Sequence, residues 1–263
     1  MEEQEVTIKE RVKERYGKIA LTGNSDCCCI PGECCDDSSN NSSSSPIQAA
    51  TVIGYETKEL ESIPKSSILG VGCGAPIHHA QLREGETIVD LGSGAGIDVF
   101  LSANKVSNSG RVIGIDMTDE MLEKARKAGK ENGYTNVEFR KGDIETSIPV
   151  DDNTADVVIS NCVVNLTTDK VRTFREIHRI LKKNGRMVIS DLVTNREIES
   201  TAANAEKWCS CIDGALTKEN YLASIRKAGL DNIEVLEEKL YLDGDQVSDG
   251  RKITSLVIRA LKG

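Results

Sequence analysis

From residue 85 onward the chain repeats a strand–helix rhythm, and that rhythm restricts the fold more than any other feature of its 263 residues. "TIVDL" is a short apolar strand, followed by a helix in "GIDVFLSANKV". "RVIGID", "NVEFRKGD", "ADVVISN" and "RMVISDLV" read as further strands. Between them, "TDEMLEKARKAGKENG" forms a helix that Thr118 opens as N-cap, with Met121 at N3, and that closes near Gly133. "DKVRTFREIHRILKKNG" forms another, with Val171, Phe174, Ile177 and Leu181 on one face. Strands that alternate with helices in this way become parallel neighbours joined by crossovers. A helix in "KENYLASIRKAGL" and two late strands, "NIEVLEEKLYL" and "KITSLVIRAL", finish the sheet. The expected fold is therefore α/β: a doubly wound, mostly parallel, seven-stranded sheet of Rossmann-like type.

Three parts are expected along the chain. Residues 1–64 hold an N-terminal helix, a Cys-rich flap and a Ser/Asn-rich linker. Residues 2–20 fit an exposed amphipathic helix with Val6, Val12 and Ile19 as apolar points. "SSNNSSSSP" cannot bury apolar surface and reads as a linker. Residues 65–195 hold the cofactor-binding domain. Residues 196–263 supply a helical insertion, "ESTAANAEKWCSCIDGAL", that covers the sheet edge, and the elements that complete the sheet.

A net charge of −9 argues against a nucleic-acid partner, because backbone phosphates need clustered Lys and Arg. No apolar run reaches the ~20 residues of a membrane span. The charged start "MEEQEVTIKERVKERYG" is unlike a secretory signal, so a cytoplasmic location is expected. Nine cysteines then make an odd count in a long chain with no export signal, which does not suit a disulfide frame. In a reducing compartment they are available as ligands and nucleophiles.

The chemistry starts at "VDLGSGAG", where Gly92, Ser93, Gly94 and Gly96 follow the first strand and open a helix. Small residues there admit a ligand to the backbone, and a helix N-terminus offers N–H groups. Asp116 ends the second strand, 20 residues beyond Gly96, where a carboxylate can accept both hydroxyls of a ribose. A dinucleotide or S-adenosylmethionine could use this arrangement. Asp90 ahead of the turn, placed to meet a cationic amino group, favours the methyl donor. So does Asp143 at the end of the third strand, in reach of an adenine amino group with Ile144 against the ring.

The cysteines point further. Cys162 follows Asn161 at the C-terminal end of the fourth strand, the edge at which open α/β sheets bind ligands. Cys73 lies in a Gly-rich loop before the first strand, and Cys211 lies in the insertion after the fifth. Three thiolates meeting there suit a soft, thiophilic centre. Zinc is one candidate, although its sites favour four ligands and CxxC spacing, which Cys209 and Cys211 lack. Trivalent arsenic is the other. Held by three sulfurs it keeps a lone pair that can attack a sulfonium methyl, with no proton to remove and so no general base. The adjacent pair His78 and His79 reads as structural.

"GVGCGAP", "ISNCVVNL" and "WCSCIDGAL", together with "VDLGSGAG … GIDMT … GDIE", resemble the arsenite S-adenosylmethionine methyltransferases, a class I methyltransferase family, from Arg11 to about Gly214. The resemblance implies As(III) at Cys73, Cys162 and Cys211. It implies S-adenosylmethionine at Asp90, Gly92, Ser93, Gly94, Gly96, Asp116, Met117, Asp143, Ile144 and Asn161. It also implies an N-terminal cysteine in the disulfide chemistry that follows transfer, here one of Cys27, Cys28, Cys29, Cys34 and Cys35. The flap carrying them reads as an arsenic-capture or redox-relay arm, with a zinc clip as the alternative. A thioredoxin-like or small-thiol reductant would restore the thiols, in the service of arsenic detoxification. The chain departs from the family pattern at this five-cysteine cluster, at Ser210, where some relatives are acidic, and at Val71, where an aromatic is common. Two other functions compete: a quinone- or sterol-type C- or O-methyltransferase, and a metalloid-binding protein without turnover.

Overall fold

The computed structural model describes residues 2–23, 45–198, 208–247 and 249–263. Seven strands form one sheet in the order β3-β2-β1-β4-β5-β7-β6. They are β1 (Thr87–Leu91), β2 (Arg111–Asp116), β3 (Val137–Lys141), β4 (Ala155–Asn161), β5 (Leu181–Thr194), β6 (Leu230–Leu242) and β7 (Ile253–Lys262). Pairs β1–β2, β1–β4, β2–β3 and β4–β5 are parallel. β7 is antiparallel to both β5 and β6. The expected doubly wound, mostly parallel architecture is present.

The central strands β1, β2 and β4 read as apolar runs because both faces of the sheet are covered there. In β1, Ile88 faces one core while Val89 and Leu91 face the other, all fully buried. One core lies beneath α2 (Pro46–Val52), α3 (Thr57–Glu61), α4 (Ile97–Val106) and α5 (Asp119–Glu131). The other lies beneath α6 (Lys170–Ile180) and α7 (Lys218–Lys227). Each fully buried Val, Leu or Ile contributes about 1.5–3 kcal/mol through the area it removes from water. In α5, Met121, Leu122, Ala125 and Ala128 make the buried stripe. Thr118 is its N-cap as expected, but without a side-chain cap bond; Asp116 Oδ1 accepts the Thr118 N–H instead, at 2.8 Å.

Two elements differ from the sequence expectation. α6 starts at Asp169, whose carboxylate caps the Arg172 N–H at 2.9 Å, but it ends at Ile180, and Leu181 turns extended to enter β5. Pairing of Leu181 with Ala155 outweighs the helical propensity of "LKKNG". The N-terminal helix α1 (Glu2–Thr22) is not an exposed helix. It packs on α5, burying Val12, Ile19 and Ala20, and Lys124 Nζ donates to the Ala20 carbonyl at 2.8 Å. Among the described residues no helix is long and apolar enough to cross a membrane.

Candidate functional site

A cleft with about 1140 Å³ of non-atom space, its open mouth included, lies at the C-terminal ends of β1, β2 and β4. Asp90, Gly92, Ser93, Gly94, Asp116, Met117, Asp143, Ile144 and Asn161 all line it, whereas Gly96 sits behind as the N-cap of α4. The glycine turn serves by being small. Gly92 has φ +68°, and a Cβ there would collide with the side chain of Val163. Four of the turn's N–H groups are taken within the protein. Gly92 and Ser93 N–H donate to the Ile115 carbonyl (2.8 and 2.9 Å), Gly94 N–H to Asp116 Oδ2 (2.9 Å), and Gly96 N–H to the Ser93 carbonyl (2.9 Å).

The cleft is instead acidic. Asp90 is buried, and burial first, then the nearby charges of Asp98 and Asp116, push its carboxyl well above the usual range. Burial likewise raises Asp98 to about 7, against the pull of a 2.8 Å hydrogen bond from the Tyr55 hydroxyl. Asp116 is raised by burial, against the hydrogen bonds it accepts from Thr118 and Gly94. Asp98 Oδ1 and Ser93 Oγ are buried with no hydrogen-bond partner among the described residues. An unpartnered buried polar atom calls for an explanation, and a polar ligand entering the cleft that Ser93 and Asp98 line would supply one. Three carboxyls beside a side-chain-free turn fit a group that carries both a cation and ribose hydroxyls.

α1 closes this cleft, which no feature of its sequence announced. Lys9, Val12 and Tyr16 line it. Lys9 Nζ donates to Asp143 Oδ2 at 2.9 Å and reaches Glu145 Oε2 at 3.1 Å. Burial alone would raise Asp143, but its bonds to Lys9 and to the Glu145 N–H bring it below the usual carboxylate range.

Cys73 and Cys162 are bonded to each other as a disulfide, with Cα atoms 5.9 Å apart. Of the pair, Cys162 forms part of the cleft wall. Cys211 joins the same buried apolar cluster, with Leu166, Leu192 and Cys209. Its thiol donates to the Cys162 carbonyl oxygen at 3.0 Å. Both Cys162 (φ 58°) and Cys211 (φ 64°) adopt left-handed backbone, which side chains other than glycine enter at a cost of about 1–3 kcal/mol. Trp208 Nε1 holds the segment down through the Leu166 carbonyl at 3.1 Å. Gly214 lets it lie flat, since a Cβ there would strike the Asn165 carbonyl. From β5, Asp191 brings a carboxylate oxygen within 4.8 Å of the Cys73 and Cys162 sulfurs. Sequence reading missed this residue. Burial raises it to about 7, opposed by the Lys170 charge and the Tyr221 hydroxyl.

Cys27, Cys28, Cys29, Cys34 and Cys35 lie outside the described residues, as does most of the expected helix ahead of Trp208. His78 and His79 pair with Glu59 (2.7 Å) and Glu237 (3.1 Å), and neither lines the cleft.

Known proteins resemble the chain in sequence and in fold. The arsenite methyltransferase of Halobacterium salinarum is 38% identical over 261 residues, 97% of this chain and 66% of the relative. That of Aquipseudomonas alcaligenes is 35% identical over 185 residues, 67% of this chain and 52% of the relative. The chain thus spans between half and just under two thirds of these relatives' length. An arsenic(III) S-adenosylmethionine methyltransferase from Chlamydomonas reinhardtii superposes with a TM-score of 0.65 at 29% identity, covering 84% of this chain and 75% of that one. A methyltransferase-domain family model matches residues 82–229, the span that runs from just before β1 to the end of α7. With that match resting on a sheet of this order, the chain belongs to the methyltransferase-domain family.

Proposed function

We propose that the chain methylates trivalent arsenic, as arsenite or an As(III)–thiol complex, with S-adenosylmethionine as donor. One observation carries the reading: the Cys73–Cys162 pair forms part of the wall of the acidic cleft, with Cys211 packed on the Cys162 backbone. Similarity to arsenite methyltransferases over 97% of the chain supports it. A quinone- or sterol-type enzyme would give no reason for a strained cysteine at each of two separate loops.

S-adenosylmethionine supplies a methyl group activated on a sulfonium. Asp90 and Asp98 would hold its ammonium, Asp116 the ribose hydroxyls, and Asp143 with Ile144 the adenine. Ser93, Met117 and Val163 shape the wall around them. Cys73, Cys162 and Cys211, as thiolates, would hold the arsenic, and free thiols need only a modest fall from their usual pKa of ~8.5 to ionise. Holding both reactants in one cleft provides much of the acceleration. Arsenic would give up its lone pair as the As–C bond forms and the bond from the methyl to the sulfonium breaks, leaving neutral S-adenosylhomocysteine, and would become pentavalent. Two thiolates then surrender two electrons by joining as a disulfide, which returns the methylated arsenic to the trivalent state. The Cys73–Cys162 bond corresponds to that oxidised state. A dithiol reductant, thioredoxin-like or small, restores the pair.

The test is transfer of a labelled methyl group from S-adenosylmethionine to arsenite in the presence of a dithiol. Labelled mono- or dimethylated arsenic supports the reading. Arsenite binding without transfer would leave a metalloid-binding protein, and neither binding nor transfer would return the chain to the small-molecule methyltransferases.

A further inference from the structure

Tyr55 sits in the turn between α2 and α3, buried, and neither its position nor its residue type marks it as part of a site. Its hydroxyl nevertheless joins the two halves of the cleft. The hydroxyl donates to Asp98 Oδ2 at 2.8 Å and accepts from Asn161 Nδ2 at 3.0 Å. Asn161 Nδ2 also donates to the Gly74 carbonyl at 2.5 Å. Asn161 Oδ1 accepts the Cys73 N–H at 3.0 Å and lies 3.8 Å from the Cys73 sulfur. An unbroken chain of hydrogen bonds therefore runs from a cleft carboxyl, through Tyr55 and Asn161, to the loop that carries Cys73.

With Asp98 ionised, the direction of each bond is fixed by proton count. A phenol has one proton. Given to Asp98, it leaves only a lone pair for Asn161, so the amide must turn its NH₂ toward Tyr55 and its oxygen toward the Cys73 N–H. The reversed amide would set an N–H against the Cys73 N–H and leave a buried donor unsatisfied. The chain starts at the oxygen-bearing side chain whose other oxygen, Asp98 Oδ1, has no partner among the described residues. A cation arriving there keeps Asp98 ionised, and an ionised acceptor binds the Tyr55 hydroxyl more strongly than a neutral one.

We propose that Tyr55 is a positioning residue that couples the two reactants: a cofactor at Asp98 locks Asn161, which holds the Cys73 loop ready for arsenic. This rests on the functional reading above. A loop already held in place binds its ligand without the cost of ordering, so each ligand tightens the other, and by linkage the factor is the same in both directions.

The experiment measures arsenite affinity of the reduced full chain through Trp208 fluorescence, with and without saturating S-adenosylhomocysteine. In the unsubstituted protein S-adenosylhomocysteine should tighten arsenite about five- to ten-fold, within the usual range for such coupling. In Tyr55→Phe, which keeps the ring, the factor should fall to below about two-fold, whereas a merely structural tyrosine would change each affinity and leave their coupling intact. Asp98→Asn, which keeps shape and loses charge, should lower the factor too, and it carries the test if Tyr55→Phe does not fold. A wild-type factor of one, or an undiminished factor in both variants, overturns the proposal while the arsenic reading stands. Absence of arsenite binding in the unsubstituted chain overturns the arsenic reading itself.

Discussion

The Cys211 thiol donates to the carbonyl oxygen of Cys162 at 3.0 Å, and both residues hold left-handed backbone. Two strained residues in contact are hard to explain by packing alone, because any small apolar residue in relaxed backbone would fill the same space. The arrangement is intelligible when the sulfurs have a common ligand to meet.

Cys162→Ser removes one sulfur from the cleft wall but changes little of its volume. Arsenic methylation should fall by at least about a thousand-fold, the loss expected when positioning of a reactant fails. S-adenosylhomocysteine affinity should stay within a few-fold. Labelled-methyl assays and calorimetry read the two quantities separately.

Cofactor binding should release protons. Burial holds Asp98 at about 7, so near neutrality a cationic ligand must compete with its proton. Affinity for S-adenosylmethionine should rise from pH 5 through about 7, with Asp90, also raised by burial, extending the rise. Calorimetry in buffers of different ionisation enthalpy should show proton release below pH 7, reduced in Asp98→Asn. Stability of the ligand-free chain carries the opposite sign. A carboxyl raised above its unfolded pKa stabilises most below that unfolded value, and its contribution is lost as pH rises through the folded one. The advantage of Asp98→Asn in urea melts should therefore grow between pH 4 and 7.

Lys9→Met should detach α1 from the cleft floor. Lys9 joins Asp143 and the buried Glu145, so removing it costs about 1–3 kcal/mol of stability in urea titration. Cofactor affinity should weaken as well, since Val12 and Tyr16 line the same wall. An unchanged affinity would mean that α1 is a passive cover.

Arg251, on the approach to β7, is fully buried. It pairs with Asp213 at 2.6 Å and donates to the Ile212 carbonyl at 3.4 Å. It thereby pins the segment that carries Cys211. Arg251→Met removes one partner of a buried ion pair, a loss of about 3–5 kcal/mol. Among folded molecules at low temperature, arsenite affinity should drop more than cofactor affinity.

Much of this was legible in the residue order. Apolar runs separated by crossover helices fixed the sheet, and Gly92, Asp90 and Asp116 could be placed because a short strand followed by a glycine turn has few ways to fold. In the sequence of α1, Val12 and Ile19 are too sparse to announce a buried face; its burial follows from α5 lying opposite. Asp191, Tyr55 and Lys9 were not legible at all, since each matters only through partners that the fold brings from distant parts of the chain. Backbone strain at Cys162 and Cys211 is likewise invisible in sequence, because nothing in a residue's identity reports its φ.

The central claim is that Cys73, Cys162 and Cys211 share one arsenic atom. X-ray absorption fine structure on the reduced, arsenite-loaded chain, with Cys27, Cys28, Cys29, Cys34 and Cys35 all changed to Ser, counts the sulfur neighbours directly. Three sulfurs, falling to two in the further variant Cys211→Ser, is the predicted result. Fewer than three before that change, or three still present after it, would contradict the account.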